Sequence, residues 1–312
     1  MKKILITGAT GFIGANLVRR LIKENYQVHI LKRKDSDIWR IKDIISKLYT
    51  HDVDLMEKDR LSKLLKKVKP KVIFHLANLG LYAGIDPTIT NSINSNLLGT
   101  INLIESADAI DYECFINTGS SSEYGKKSNL MRETDSCQPQ SNYAITKLSA
   151  TLYAQAYAKR TKKPLVTFRI FSPFGPFDQP NRLLSSSILK ILKGEDIFLQ
   201  NPFDVRDYIF IEDVVNAYLL CMKKAKIPGS EILNIGSGKQ ILIKDIIELL
   251  TKKIKSKSKI ISDKNSINDS RHIWQADIQK AKKILGWQPK TTLEEGLKKT
   301  YFWFKKYSYL YE

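Results

Sequence analysis

Gly8, Gly11 and Gly14 stand evenly spaced in G-A-T-G-F-I-G, between the apolar run K-I-L-I-T and the amphipathic stretch N-L-V-R-R-L-I-K-E. That order constrains the chain more than any other feature, because it makes a buried strand turn sharply into a helix. Glycines at such a turn let the backbone approach a pyrophosphate closely, and the helix N-terminus supplies N–H donors. A plain strand-to-helix turn is the alternative. Strand, spacing and helix agree, so nucleotide binding is the favoured reading, although the spacing is G-x-x-G-x-x-G rather than G-x-G-x-x-G.

The pattern continues along the chain. Q-V-H-I-L, K-V-I-F-H-L, C-F-I-N-T and L-V-T-F-R-I read as further strands. Between them D-R-L-S-K-L-L-K-K, S-N-L-L-G-T-I-N-L-I-E-S and N-Y-A-I-T-K-L-S-A-T-L-Y-A-Q-A-Y carry apolar residues at helical spacing. Alternating strands and helices predict an α/β fold, a Rossmann-type doubly wound parallel sheet covered on both faces. Beyond Gly175 the order becomes irregular. The expected division is a dinucleotide-binding domain over 1–172, with a returning segment near 205–225, and a smaller substrate-binding lobe over most of 173–312.

Composition narrows the classes. No run of about 18 apolar residues is present to span a bilayer, and 312 residues suffice for one large α/β domain or two smaller ones. Cys114, Cys137 and Cys221 are widely separated, without a C-x-x-C spacing, so a reduced cytoplasmic protein with no structural metal is expected. The net charge of +19 invites a nucleic-acid partner. Its lysines are scattered over the helices as solvated faces, so no nucleic acid is expected, and the charge suits an anionic small molecule.

Tyr143 and Lys147 in Y-A-I-T-K project from one face of a helix. The ammonium can lower the phenol below its usual value of about 10, which makes a proton relay usable near neutral pH. Lys32 and Arg33 end the second strand, where an NAD-preferring site usually places a carboxylate. Basic residues there attract a 2′-phosphate, which makes NADP the favoured cofactor and NAD the alternative. Asp54 and Leu55, in H-D-V-D-L, could set an acceptor near the adenine amino group, with Asp52 competing for that role.

With these residues read, the chain resembles the extended short-chain dehydrogenase/reductase family, and within it the nucleotide-sugar epimerases, dehydratases and reductases. Besides the glycine loop and Y-A-I-T-K, the resemblance rests on H-L-A at His75, N-L-L-G-T at Asn96, G-S-S-S-E-Y-G at Gly119, R-D-Y-I-F-I-E-D-V-V at Arg206 and L-G-W-Q-P at Leu285. It implies Ser120, Tyr143 and Lys147 as the catalytic group. Thr10, Phe12, Ile13, Leu76, Ala77 and Asn96 join the cofactor contacts, Asn96 by tying a mid-helix backbone to the site. Ser121, Ser122, Ser172, Arg182, Arg206 and Arg271 make up the substrate side, with Arg206 gripping a diphosphate. An ion pair with Asp204 or Asp207 is the competing reading for Arg206. Ser172 stands where the family commonly has asparagine, and the R-P-G stretch before the last helix is missing, a charge Arg271 could replace.

The implied substrate is a nucleotide-diphosphate sugar and the implied assembly a homodimer, through helices around 94–108 and 143–160. Reduction of a 4-keto-6-deoxy sugar with Tyr143 as proton donor is the first expectation, and 4-epimerisation with retained NAD the second. Dehydration ranks third, since Ser121 and Ser122 follow Ser120 where dehydratases carry acids. A non-catalytic dinucleotide- or nucleic-acid-binding regulator is the reading from another class, and it has no need of Ser120, Tyr143 and Lys147 together.

Overall fold

The computed structural model describes residues 2–80, 86–224, 227, 229–262 and 272–311. The chain starts with β1 (Lys3–Thr7), α1 (Phe12–Lys23) and β2 (Gln27–Lys32), then β3 (Tyr49–Asp52), α2 (Lys58–Val68) and β4 (Val72–His75). A short helix α3 (Ile89–Ser92), a π-helical turn (Ile93–Leu98) and α4 (Gly99–Ala107) form one continuous helical run. After it come β5 (Cys114–Ser120), α5 (Asn142–Thr161) and β6 (Leu165–Ile170). All these strands are parallel and form one sheet in the order β6-β5-β4-β1-β2-β3, with the strand Ile232–Ile235 added beside β6. The sheet is the expected doubly wound one. Its strand order reverses between β1 and β4, where such sheets open a crevice at their carboxyl ends.

β3 is absent from the five strands read in the sequence, and its surroundings explain why. It lies at the sheet edge, and its residues in Y-T-H-D are mostly exposed, so no apolar run marks it. After β6 the chain leaves the sheet and comes back to it. Helix Ile211–Lys223 packs on α1, and the chain then adds Ile232–Ile235 to the sheet.

The two halves share one core. Ile4 and Ile6 in β1 belong to the same buried cluster as Phe174, Leu184, Trp287, Leu297 and Phe304 from the later half. Each such side chain contributes about 1.5–3 kcal/mol by leaving water, so the later half is fastened to the sheet rather than tethered to it.

Candidate active site

A cavity of about 1580 Å³ opens at the carboxyl ends of β1, β2, β4, β5 and β6. Its floor is the glycine loop. Gly8 has φ +71°, and a Cβ on Gly14 would lie 2.1 Å from the Gly8 carbonyl oxygen, so neither position accepts a side chain without displacing the backbone. Helix α1 follows Gly11, which offers no side-chain cap and leaves the first N–H donors to the cavity. A pyrophosphate fits that cradle.

At the far end of β2, Lys32 and Arg33 line the cavity together with Val53, Asp54, Leu55 and Met56. Lys32 Nζ is paired with Asp52 Oδ1 at 2.5 Å, and Arg33 with Asp35 at 3.5 Å. Asp52 therefore serves as the counter-charge of Lys32. Leu76 and Ala77 at the end of β4 reach the cavity, as do Thr10, Phe12 and Ile13.

Asn96 stands behind the cavity wall. It is fully buried in the π-helical turn. Its Oδ1 accepts from the Leu79 N–H at 2.7 Å, and its Nδ2 donates to the Leu79 carbonyl and to Thr146 Oγ1. Asn96 thus holds the loop after β4, whose Leu79 and Gly80 line the cavity.

Ser120 from β5 and Tyr143 and Lys147 from α5 all line this cavity. Helix α5 starts on Asp86, whose carboxylate accepts the N–H groups of Asn142 and Tyr143 at 2.6 and 3.1 Å, and on Ser141, which accepts from Ala144. This anchoring fixes the turn that carries Tyr143 and, one turn on, Lys147. The Lys147 ammonium is buried and donates to the Thr118 carbonyl, leaving further protons for a ligand. Burial brings its pKa down to about 8, against an opposing pull from Glu123. Ser120 ends β5, and its Oγ accepts from the Ser122 N–H at 3.1 Å. The turn-capping role and the cavity position coexist, because an accepting hydroxyl keeps its own proton to donate.

On the substrate side, Ser121, Ser122, Ser172, Arg182 and Arg206 all line the cavity. Arg206 is paired with Asp204 at 2.6 Å and sits over the Trp274 ring at 4.9 Å. Asp204 also accepts from His272 Nε2 at 2.9 Å. Asp207 points elsewhere: fully buried, it accepts from Ser237, Gly238 and Ala276. Arg271 lies outside the described residues. The sequence reading missed His272 and Trp274, which line the cavity beside Arg206. Their alternate spacing in R-H-I-W was the available signal, since alternate residues of an extended segment share a face. It also missed Arg40, whose Nε donates to the Phe177 carbonyl at 2.8 Å and which joins the two halves at the cavity rim.

The sequence pattern of the NAD dependent epimerase/dehydratase family matches residues 4–236, from β1 to the last strand of the sheet. The chain belongs to this family. Members like it over nearly the whole chain include an uncharacterized protein of Methanocaldococcus jannaschii, 31% identical over 97% of this chain and 96% of that one. The UDP-glucuronate 4-epimerase of Thermodesulfobacterium geofontis is 29% identical over the same shares. Among solved structures, the UDP-glucuronic acid 4-epimerase of Bacillus cereus, in complex with UDP-glucuronic acid and NAD, superposes with a TM-score of 0.86 at 29% identity, covering 97% of this chain and 99% of that one. Among the described residues no helix is long and apolar enough to cross a membrane, and no cluster of metal-ligating side chains occurs.

Proposed function

We propose that this family member reduces C4 of a nucleotide-diphosphate 4-keto-6-deoxy sugar, with NADPH as the reductant. The observation that carries this reading is the cavity wall at the end of β2, where Lys32 and Arg33 stand in place of a ribose-binding carboxylate. Arg33 keeps only the longer 3.5 Å contact with Asp35 and remains two-thirds exposed, so its guanidinium can turn to a 2′-phosphate. Lys32 would share its charge between that phosphate and Asp52. When bound, the dinucleotide supplies the hydride.

The chain's own residues handle the proton. Tyr143 gives its phenolic proton to the sugar's C4 oxygen as that oxygen gains charge. Ser120 donates its hydroxyl proton in a hydrogen bond to the same oxygen. Lys147, fixed on Thr118, offers its remaining donors to the ribose and its charge to the phenolate one turn away. Arg206 and Arg182 supply cations for the sugar nucleotide's diphosphate.

A second reading, 4-epimerisation with retained NAD, is favoured by the likeness over the whole chain to the two UDP-glucuronate 4-epimerases, one of which is bound to NAD. Tyr143 then takes a proton from the C4 hydroxyl and later returns it. Dehydration, towards which the likeness to a human dTDP-D-glucose 4,6-dehydratase at 27% identity points, ranks third, because Ser121 and Ser122 follow Ser120 and Glu123 is fully buried against Arg169. A homodimer, formed through the α3–α4 run and α5, belongs to either reading.

Incubation with nucleotide-diphosphate 4-keto-6-deoxy sugars and either NADPH or NADH, read by NMR, tests the proposal. The expected result is loss of the ketone with NADPH preferred, and a loss of about a hundredfold in kcat for Tyr143→Phe. Interconversion of C4 epimers by the purified protein, with tightly held NAD and no added cofactor, overturns the reductase reading in favour of the second.

A further inference from the structure

Behind the reacting groups lies a buried ion pair with no assigned part in the chemistry. Glu123 and Arg169 are 0% and 3% exposed, and Glu123 Oε2 accepts from Arg169 Nε at 2.8 Å. A buried ion pair loses the hydration of both charges and is poor evidence of stabilisation in itself. Its placement is more informative than its strength. The other carboxylate oxygen, Oε1, accepts the Ser120 N–H at 2.8 Å and the Thr151 hydroxyl at 3.1 Å, so one side chain joins β5, α5 and β6.

The neighbouring positions are fitted to this carboxylate. A Cβ on Gly119 would stand 2.5 Å from Glu123 Oε1, so glycine is the residue that leaves room for it. Residue 119 separates the two anchor points at the end of β5. Lys147 donates to the carbonyl of Thr118 on one side, and Glu123 accepts the N–H of Ser120 on the other. Arg169 completes the arrangement by lying over the Tyr124 ring at 4.4 Å and donating to Cys137 Sγ at 3.2 Å.

We infer that Glu123 is a positioning residue: its carboxylate, paired with Arg169, fixes the Ser120 backbone and faces the Lys147 ammonium across Gly119 as its buried counter-charge. The inference rests on the proposed chemistry only in giving Ser120 and Lys147 their roles. His75 from β4 and Glu123 from the turn after β5 bear on Lys147, with Tyr143 one turn back on its own helix and Arg169 behind Glu123. His75 is held neutral, with its pKa near 3, by burial first and by the charge of Lys147 second. Burial disfavours the Lys147 ammonium, and Glu123 is the charge that favours it. Removing the carboxylate therefore takes away the one opposing charge and leaves Arg169 as a second buried cation behind it.

Glu123→Gln separates the two duties. The amide oxygen still accepts from Ser120 while the charge is gone. The direct measurement is an NMR titration of lysine side-chain carbons in the whole protein, with Lys147 assigned by its loss in Lys147→Arg. The expected result is a downward shift of the Lys147 midpoint by at least about one pH unit in Glu123→Gln. In turnover the alkaline limb of kcat moves to lower pH by the same amount, with KM for the sugar little changed. The double variant Glu123→Gln/Arg169→Met, which leaves neither charge buried alone, gives a smaller shift in the same direction should the single variant fold poorly.

An unchanged Lys147 midpoint in either folded variant overturns the inference. The titration needs no substrate, so it decides even if no nucleotide sugar is turned over. That second result counts against the proposed reaction alone.

Discussion

At the scale of single residues, two histidines are kept neutral by the fold. His29 in β2 stacks on Tyr49 at 4.7 Å and shares a hydrogen bond with His51 at 2.9 Å. Burial lowers its pKa to about 4, with His51 and Lys3 adding to the effect. His75 bridges Thr7 and Thr100 at 2.7 and 2.8 Å, and its pKa falls to about 3. Both values lie below the ordinary 6.5 of the unfolded chain. Between those limits the unfolded state binds more protons, so the contribution is complete above pH 6.5 and is lost as pH falls through 4 and then 3. Denaturation series from pH 7 to 4 are expected to show falling stability, less steeply in His29→Gln. Equal slopes in the two proteins would exclude His29 as a source.

Elements show a different dependence, on fastenings between segments far apart in sequence. Asp213 sits in the first turn of helix Ile211–Lys223, buried, and its two oxygens accept from the N–H groups of Lys290 and Thr291, each at 3.0 Å. Its carbonyl accepts from Trp287 Nε1 at 3.0 Å. The L-G-W-Q-P motif is therefore a clasp holding the last helices to the sheet's returning helix. Asp213→Ala strands two part-buried N–H groups and is expected to lower stability by about 2 kcal/mol, measured by urea unfolding. A change below about 0.5 kcal/mol, the range of ordinary surface substitutions, would refute the clasp.

The contrast with the sequence reading follows the same line. The glycine loop, the five inner strands and Y-A-I-T-K were legible because their chemistry is local: period, spacing and turn residues lie within a dozen positions. β3 was hidden because an exposed edge strand carries no apolar run. Which backbone Asn96 ties was not legible, because one amide on a helix can reach several, and only the position of Leu79 decides. Partners such as Asp52 for Lys32 and Asp86 for α5 come from 20 and 56 residues away, beyond any spacing rule.

At the scale of the whole molecule, the apolar surface left by the fold bears on assembly. Ile89 and Ile93 on the α3–α4 run are 42% and 36% exposed, Leu98 is 36% exposed, and Ile145 and Leu152 on α5 are 43% and 53% exposed. Leu98 and Leu152 therefore do not face the sheet. Ile145 and Leu152 are seven residues apart, two turns along one face of α5, and α5 packs directly against the π-helical turn and α4. A second copy related by a two-fold axis would bring like stripes together and cover them, since such an interface is self-complementary. The opposing force is the net charge of +19, which repels copies in general and leaves local apolar burial as the attraction. Salt should then strengthen the dimer by screening that repulsion. Sedimentation equilibrium is expected to give a dimer for the native chain and a monomer for Leu152→Lys, which sets like charges against each other across the axis. A native monomer at both low and high salt would leave the stripe without this partner.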